Sequence, residues 1–317
     1  MRWLVTGATG FVGGHLLPRL ATQRARVFGL ARPGSAAVRG CEMVEADLLD
    51  AEAVERVVAT VKPERIVHLA AQSSAKDSWA DPAATLKTNV LGLLHLLEGV
   101  RRAELAPRVL VVGSAEEYGA VAEAGQPIPE DAPLRPLSPY AASKVAQGYL
   151  ALQYALSHGL QVVRTRTFNH TGPGRGAGFA EGSFARQIAE ILAGRREPRI
   201  VVGNLDAVRD FSDVRDVVRA YTLLVEKGAA GEVYNVASGC GVRIGYVLER
   251  LVALSGVKVE IREERALLRP ADIPYLVGDF GRLRALGWAP EIGLDRSLTD
   301  LLAYWQERTR TEDRVPS

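Results

Sequence analysis

Through the first half of the chain, short apolar runs alternate with longer stretches whose apolar residues recur at helical spacing. No other feature restricts the fold as strongly. The runs are apolar throughout and rich in β-branched residues, which is typical of strands buried on both faces of a parallel sheet. They occupy residues 4–5, 27–30, 43–46, 66–69, 109–112 and 162–165. Strands that alternate with helices in this way predict an α/β fold built on a doubly wound parallel sheet.

The helices that cover this sheet are predicted from the stretches between the runs. A first helix follows Gly10, and longer helices are predicted over residues 51–61, 85–100 and 140–157. After residue 168 the alternation ends and glycine, proline and arginine become frequent, but an apolar run at 233–236 predicts a strand that rejoins the sheet. The expected organisation is a main domain over 1–168 with a return near 208–236, a smaller interleaved C-terminal lobe over 169–310, and a polar tail over 311–317.

Composition excludes several classes of protein. Lys+Arg 39 against Asp+Glu 37 leaves a net charge of +2 in 317 residues, so no global field favours nucleic acid. Cys41 and Cys240 are the only cysteines, and neither has a second cysteine or a histidine at metal-ligand spacing. No apolar run approaches the roughly 18 residues of a membrane span. The sequence therefore predicts a soluble cytoplasmic protein without a metal site, a membrane segment or a nucleic-acid partner.

A glycine-rich turn joins the first predicted strand to the first helix. Its sequence, Thr-Gly-Ala-Thr-Gly-Phe-Val-Gly over residues 6–13, places Gly7, Gly10 and Gly13 three residues apart. A backbone without side chains can approach a pyrophosphate closely, and the free N–H groups at the helix start bind its oxygens. Together with Phe11 and Val12, these glycines predict a Rossmann-type dinucleotide site.

The end of the second predicted strand indicates which dinucleotide is bound. An NAD enzyme carries an acid there for the ribose hydroxyls, whereas this chain has Arg32, which suits the 2′-phosphate of NADP. The alternative is that Arg32 is an ordinary surface arginine. Asp47 and Leu48 follow the third strand and are placed to contact the adenine. The fourth strand ends in Leu69, Ala70 and Ala71, and the small side chains of the two alanines let the backbone pass under the cofactor.

A tyrosine and a lysine four residues apart open the helix predicted over 140–157. Tyr140 and Lys144 then lie on one helix face, where the ammonium group is expected to lower the phenol pKa from its usual value of about 10. Ser114, at the end of the fifth strand, is placed to donate a hydrogen bond to a substrate carbonyl. Such a pair also occurs by chance on surface helices, but its order after the glycine motif favours a catalytic site.

Taken together, these motifs resemble the extended short-chain dehydrogenase/reductase family from the glycine motif to about residue 305. The resemblance implies an NADP(H)-binding Rossmann domain followed by a lobe that binds a nucleotide sugar. It also implies a homodimer that pairs through two long helices, here around residues 85–100 and 140–157.

The segment after the fifth strand separates two activities within that resemblance. Many sugar dehydratases read Ser-Thr-Asp-Glu-Val-Tyr-Gly there, and this chain reads Gly-Ser-Ala-Glu-Glu-Tyr-Gly over 113–119. Glu116 matches the dehydratase base, while Ala115 replaces the acid that expels the C6 hydroxyl. A 4-keto reductase needs neither elimination step, so Ala115 favours reduction. GDP-mannose dehydratases that carry Ser at the acid position keep dehydration open as the alternative.

Three later segments resemble those of GDP-mannose 4,6-dehydratases and GDP-4-keto-6-deoxymannose reductases. They lie at 167–174, 202–211 and 268–272. The resemblance implies that Arg209 and Arg269 clamp the substrate diphosphate, that Asn169 contacts the same end, and that Asn204 frames the guanine. A structural ion pair with the flanking Asp206 or Asp210 is the alternative for Arg209.

The sequence thus predicts NADPH-dependent reduction of the C4 ketone of a GDP-4-keto-6-deoxy sugar. GDP-4-keto-6-deoxy-D-mannose would give GDP-D-rhamnose, or the C4 epimer if the opposite face is presented. The alternatives are a GDP-mannose 4,6-dehydratase that retains its NADP, a nucleotide-sugar epimerase, and a non-catalytic NADP sensor. Tyr140 and Lys144 are both present, which disfavours the sensor.

Overall fold

A computed structural model describes residues 1–23, 25–121, 125–267 and 272–312 of the chain. Its centre is a seven-stranded sheet with strand order β10-β6-β5-β4-β1-β2-β3, and every pair in it is parallel. These strands are β1 (Arg2–Thr6), β2 (Arg26–Ala31), β3 (Glu42–Glu45), β4 (Arg65–His68), β5 (Arg108–Ser114), β6 (Gln161–Thr167) and β10 (Val233–Val236). The predicted α/β class with a doubly wound parallel sheet is confirmed.

Helices pack on both faces of this sheet and bury a separate core on each. They are α1 (Phe11–Ala21), α2 (Ala51–Val61), α3 (Ala75–Ala80), α4 (Pro82–Leu86), α5 (Gly92–Arg102), α6 (Pro139–His158), α7 (Ala180–Leu192), α8 (Val214–Lys227), α9 (Ile244–Ser255), α10 (Gly281–Ala285) and α11 (Leu294–Glu312). On one face, α1 and α8 bury leucines and valines such as Leu16 and Val217 against β1 and β4. On the other face, α2 and α5 bury Val54, Val58 and Leu96.

Two helices that pack on the central sheet start with side-chain caps. In α6, Ser138 accepts a hydrogen bond from the backbone N–H of Ala141 and Pro139 occupies the first turn, which suits its fixed φ angle. In α2, the Asp50 side chain accepts from Ala53 in the same way. Among described residues, no helix is both long and apolar enough to cross a bilayer.

The helix predicted over 85–100 is interrupted. A π-helical turn at Lys87–Leu91 separates α4 from α5. The turn holds the buried Asn89, whose amide accepts from the Gln72 N–H and donates to the Ser143 hydroxyl. Extra residues in a helical turn often re-aim a side chain at a functional site, and here Asn89 ties the loop after β4 to α6.

Two smaller sheets lie in the C-terminal half of the chain. One has the order β11-β9-β13 with β7 also paired to β9, and the other pairs β12 with β8. Their strands are β7 (Asn169–Thr171), β8 (Arg199–Val202), β9 (Val208–Asp213), β11 (Gly241–Arg243), β12 (Glu260–Glu263) and β13 (Tyr275–Leu276). A third core between α7, α9 and α11 supports them.

The strand predictions agree with the structure to within a few residues at each end. The apolar run at 233–236 coincides with β10, which rejoins the sheet as predicted and pairs in parallel with β6. Of the predicted polar tail over 311–317, the first two residues end α11, and residues 313–317 lie outside the described residues.

Candidate active site

A cleft of about 730 Å³ opens at the carboxyl ends of the central strands. Side chains that follow β1, β2, β4, β5 and β6 converge there, because parallel strands all end at the same edge of the sheet. Its volume lies in the range of small-molecule and cofactor sites. All predicted cofactor-binding residues line it: Gly7, Gly10, Phe11, Val12, Gly13, Arg32, Asp47, Leu48, Leu69, Ala70, Ala71, Tyr140 and Lys144.

The glycine turn forms the floor of one end of the cleft. Gly7 has φ +68°, and a Cβ there would lie 2.8 Å from the backbone nitrogen of Ala70, so no side chain fits. The turn and the end of β4 are held together by Thr6, whose hydroxyl accepts from the Ala70 N–H at 3.2 Å and bonds His68 Nδ1 at 2.9 Å. The helix α1 starts at Phe11 with no side-chain cap on its N–H groups. The glycine turn and the uncapped N–H groups at the start of α1 fit the diphosphate of a nicotinamide dinucleotide.

Arg32 is the first residue after β2 and lines the same cleft. Ser35 lines the cleft beside it, and Asp47 lines the cleft after β3. The Asp47 carboxylate accepts from the backbone N–H of Leu49 at 2.9 Å, which fixes the loop that carries Leu48. The guanidinium group of Arg32 therefore occupies the position at which NAD-binding proteins carry an acidic residue.

Tyr140 and Ser114 meet at the opposite end of the cleft. Ser114 ends β5, Tyr140 lies in the first turn of α6, and their hydroxyls are hydrogen-bonded. Burial raises the pKa of Tyr140 above its usual value, and the charge of Glu116 raises it further. The phenol therefore stays protonated at neutral pH. The expectation from the sequence that the pKa of Tyr140 is lowered is wrong for this structure, because burial and the charge of Glu116 raise it.

Lys144 lines the cleft one helical turn after Tyr140. Its ammonium group donates to the Val112 carbonyl at 2.9 Å and to Gln147 Oε1 at 2.8 Å, and so joins α6 to β5. Burial lowers the pKa of Lys144 to about 8, and the charge of Glu117 opposes that shift. Its charge is thus lost within the range of ordinary assay buffers.

Ala115, which stands where the dehydratase pattern has an acid, is surrounded mainly by apolar side chains. The Ala115 side chain is 2% exposed and packs in a cluster with Tyr118, Phe168 and Leu276. Glu116, the next residue, lines the cleft. Ala115 also borders the cleft, so this turn brings one carboxylate, that of Glu116, to the cleft where the dehydratase pattern has two.

The predicted substrate residues separate into three cases. Asn169 lines the cleft. Asn204 and Arg209 do not: Asn204 donates to the Asp272 carboxylate at 2.6 Å, and Arg209 pairs with its other oxygen at 2.9 Å. The partner of Arg209 is therefore Asp272, and the flanking Asp206 and Asp210 are not involved in that pair. Arg269 lies outside the described residues.

The sequence model of the family described as GDP-mannose 4,6 dehydratase matches residues 4–301 of the chain. The chain belongs to the GDP-mannose 4,6 dehydratase family. The match spans both the glycine turn and the lobe that carries Asn204 and Arg209.

Individual members of that family resemble the chain along almost its whole length. A GDP-6-deoxy-D-mannose reductase of Pseudomonas aeruginosa is 38% identical over 98% of this chain and 99% of its own. The solved structure of RMD from Pseudomonas aeruginosa, complexed with NADPH, has a TM-score of 0.85 at 37% identity and covers 97% of this chain and 99% of its own. A GDP-mannose 4,6-dehydratase of Vibrio cholerae is 27% identical over 97% of this chain and 94% of its own. The chain is therefore an oxidoreductase that uses a nicotinamide dinucleotide.

Two further residues of the cleft, His170 and Arg175, are not among the site residues predicted from the sequence. His170 stacks on Phe11 with ring centroids 5.9 Å apart, and Arg175 lies over the rings of both Phe11 and Phe179. The Arg175 Nε donates to Glu181 at 2.8 Å. The loop after β7 is thereby fixed on the start of α1. In the sequence, the Gly-Pro-Gly-Arg run at 172–175 is the feature that could have indicated this contact, but it overlaps a segment assigned to the sugar lobe.

Among the residues that the structure describes, no group of three or more histidines, cysteines or acids could hold a metal ion. The described cleft thus offers a cofactor cradle, a proton donor and a hydrogen-bond donor. That set is sufficient for hydride transfer to or from a carbonyl carbon.

Proposed function

We propose that this enzyme is an NADPH-dependent reductase of the C4 ketone of a GDP-4-keto-6-deoxy sugar. GDP-4-keto-6-deoxy-D-mannose is the substrate and GDP-D-rhamnose the product. The observation that carries the proposal is Ala115, which is buried among apolar side chains where a dehydratase places the acid that expels the C6 hydroxyl. The similarity to the Pseudomonas aeruginosa reductase supports the same activity.

The protonation state of Tyr140 also supports reduction. A reductase needs a phenol that carries a proton to give away, whereas a reaction that begins with oxidation needs a phenolate base. Burial and Glu116 raise the pKa of Tyr140, so the donor form is the resting form. Glu116, which a reductase does not need as a base, thus has a use in keeping Tyr140 protonated.

NADP is the proposed form of the cofactor. Arg32 lines the adenosine end of the cleft directly after β2, and a guanidinium fork suits a 2′-phosphate. The neighbouring RMD structure was solved with NADPH, which agrees with this assignment. Residues 1–168, with the return through α8 and β10, are assigned to cofactor binding.

The chain's own residues account for the acid–base part of the reaction. The bound NADPH supplies a hydride. Ser114 and Tyr140 donate hydrogen bonds to the C4 oxygen, which holds the carbonyl in place and favours negative charge on the oxygen. Tyr140 then gives up its proton, and the positive charge of Lys144, one helical turn along, stabilises the phenolate left behind.

Residues 169–310 are assigned to the nucleotide sugar. Asn169 lines the cleft and is placed to contact the substrate directly. Asn204 and Arg209 both bond Asp272, and in this proposal Asn204 acts on the guanine and Arg209 on the diphosphate. Arg269, which the resemblance also assigns to the diphosphate, lies outside the described residues. The description of the family as GDP-mannose 4,6 dehydratase and the similarity to a GDP-6-deoxy-D-mannose reductase support this assignment.

The same helices that border the site carry the proposed dimer interface. Tyr149 and Leu156 of α6 are 57% and 77% exposed and lie seven residues apart, on one face. We propose that a second copy covers this face. Sedimentation velocity of the wild type and of Leu156→Glu checks it: a dimer that the substitution converts to monomer is expected, and a monomeric wild type contradicts it.

The experiment that tests the activity is product analysis. The enzyme is incubated with GDP-4-keto-6-deoxymannose and NADPH, and the sugar is identified by NMR. A 4-hydroxy product with the rhamno configuration is expected. Unchanged ketone, or the C4 epimer alone, contradicts the proposed product.

One observation favours a second function, GDP-mannose 4,6-dehydration. Glu116 lines the cleft together with Tyr140, where a dehydratase holds the base that removes the C5 proton. A dehydratase retains its NADP and needs no added reductant, so incubation of GDP-mannose without NADPH distinguishes the two.

A further inference from the structure

A buried ion pair lies behind Ser114, outside the cleft. Glu117 follows the end of β5 in a single 3-10 turn, and its carboxylate faces back toward the sheet. One oxygen accepts from the backbone N–H of Ser114 at 2.8 Å, and the other pairs with Arg166 Nε at 3.1 Å. The side chains of Glu117 and Arg166 are 4% and 8% exposed, and neither residue lines the cleft.

The pair is anchored to several strands. Arg166 lies on β6 and donates to the Tyr118 hydroxyl at 3.1 Å and to the Glu130 carbonyl at 2.8 Å. The Tyr118 hydroxyl in turn donates to Asn235 on β10 at 2.7 Å. Every link in this network is a buried hydrogen bond, so water cannot replace a partner that moves. A shift of the Glu117 carboxylate would therefore also move the end of β5.

The chain makes room for this carboxylate. A Cβ on Gly113 would lie 2.3 Å from Glu117 Oε1 and 2.3 Å from the Thr165 carbonyl oxygen, so only glycine leaves space here for both the carboxylate and β6. The dehydratase pattern described above has Val where Glu117 stands. A buried acid in place of an apolar residue is costly unless it is paired, which indicates a role beyond packing.

We propose that Glu117 and Arg166 are positioning residues, which hold Ser114 and Lys144 in place for the proposed reduction without touching the substrate or the cofactor. Glu117 binds the backbone of Ser114 directly. Lys144 is fixed to the Val112 carbonyl, two residues before Ser114 on the same strand. Glu117 therefore holds the Ser114 end of this short strand segment, and Lys144 is bonded to its other end at Val112.

The charge of Glu117 also acts on Lys144. The titratable groups that act on or feel the charge of Lys144 are Glu117 after β5 and His68 at the end of β4. Burial raises the pKa of Glu117, and the charges of Arg166 on β6 and of Lys144 oppose that shift and favour the carboxylate. Burial lowers the pKa of Lys144 to about 8, and Glu117 opposes it, so removal of the Glu117 charge would lower that pKa further.

The test compares Glu117→Gln and Arg166→Lys with the control Asp216→Asn. Asp216 is a buried acid, 1% exposed, that pairs with Arg219 and caps the backbone of Glu291 and Ile292 away from the cleft. For Glu117→Gln we expect kcat to fall about 10- to 100-fold with the NADPH Kd within about twofold. Arg166→Lys keeps its charge but loses the fork, so a fall of several-fold in kcat is expected. The control should lose thermal stability only.

A second readout is independent of the substrate. The chain has six lysines, so the Lys144 amine is identified in lysine-labelled protein by its loss in Lys144→Arg. Its pKa should fall by about one unit in Glu117→Gln and stay unchanged in Asp216→Asn. If the wild type reduces no ketone, the proposed function fails, but this shift still decides whether Glu117 acts on Lys144.

A purely structural role gives a different result. Glu117→Gln would then melt at a lower temperature, like the control, with wild-type kcat per folded enzyme and an unchanged Lys144 pKa, and that result overturns the proposal. If Glu117→Gln does not fold, wild-type kcat in Arg166→Lys overturns it.

Discussion

The two ends of this molecule carry their functional residues in different ways. At the cofactor end, the predicted residues lie at or just after the ends of strands in one parallel sheet or, like Tyr140 and Lys144, on α6, and all of them line the cleft. In the substrate lobe, Asn204 and Arg209 are held by Asp272, more than sixty residues later in the chain, and line no part of that cleft. Residues placed by sheet topology can be predicted individually, whereas residues placed by long-range pairs cannot.

The largest effect expected at the cofactor end comes from Tyr140→Phe. Loss of the proton donor should lower turnover by roughly two to four orders of magnitude. NADPH affinity should stay near that of the wild type, because the ring remains. Stopped-flow measurement of NADPH oxidation, with fluorescence titration of NADPH as the control, checks both. Turnover near that of the wild type would remove Tyr140 from the chemistry.

Arg32→Ala is expected to show the next largest effect. A charge-assisted contact to the 2′-phosphate contributes about 1.5–3 kcal/mol, so NADPH should bind about 10- to 100-fold more weakly. NADH, which lacks that phosphate, should bind almost as before. Calorimetric titration of both cofactors measures the difference, and equal losses would contradict the role given to Arg32.

The pH dependence tests the electrostatics of the same end. Lys144 is charged below its pKa of about 8 and loses its charge as the pH rises through that value. We therefore expect kcat/KM for reduction to be constant below about pH 7 and to fall by up to about tenfold per unit above pH 8. Tyr140 adds no fall in this range, because burial raises its pKa. A profile that rises above pH 8 would mean that a phenolate base is required.

Arg209 gives the smallest effect and tests the other side of the comparison. Its pairing with Asp272 predicts that Arg209→Gln loses about 1–3 kcal/mol of unfolding free energy, while KM for the GDP sugar rises less than about tenfold. Urea unfolding and initial rates measure the two quantities. A KM increase of a hundredfold or more at unchanged stability would show that Arg209 binds the diphosphate directly.

The outcome for individual residues shows what a sequence can predict here. The alternation of apolar runs was sufficient for the central sheet, and motif order was sufficient for the cleft, because both depend on local spacing. The pKa of Tyr140 depends on burial and on Glu116, so the four-residue spacing to Lys144 led to the wrong direction. The sequence predicts no role for Glu117, since its partner Arg166 lies 49 residues away. The π-helical turn that carries Asn89 has no periodic signal of its own.

With the buried, apolar Ala115 at this turn, we expect the enzyme to reduce the 4-keto sugar but not to dehydrate GDP-mannose. The most direct measurement gives purified enzyme GDP-mannose without NADPH, then GDP-4-keto-6-deoxymannose with NADPH, and follows nucleotide and sugar together. The account predicts no 4-keto sugar in the first reaction and one NADPH oxidised per sugar reduced in the second. It also predicts that Glu116→Gln keeps at least about a tenth of the second rate, because no C5 proton is removed. Accumulation of 4-keto sugar from GDP-mannose without added NADPH, abolished by Glu116→Gln, would contradict it.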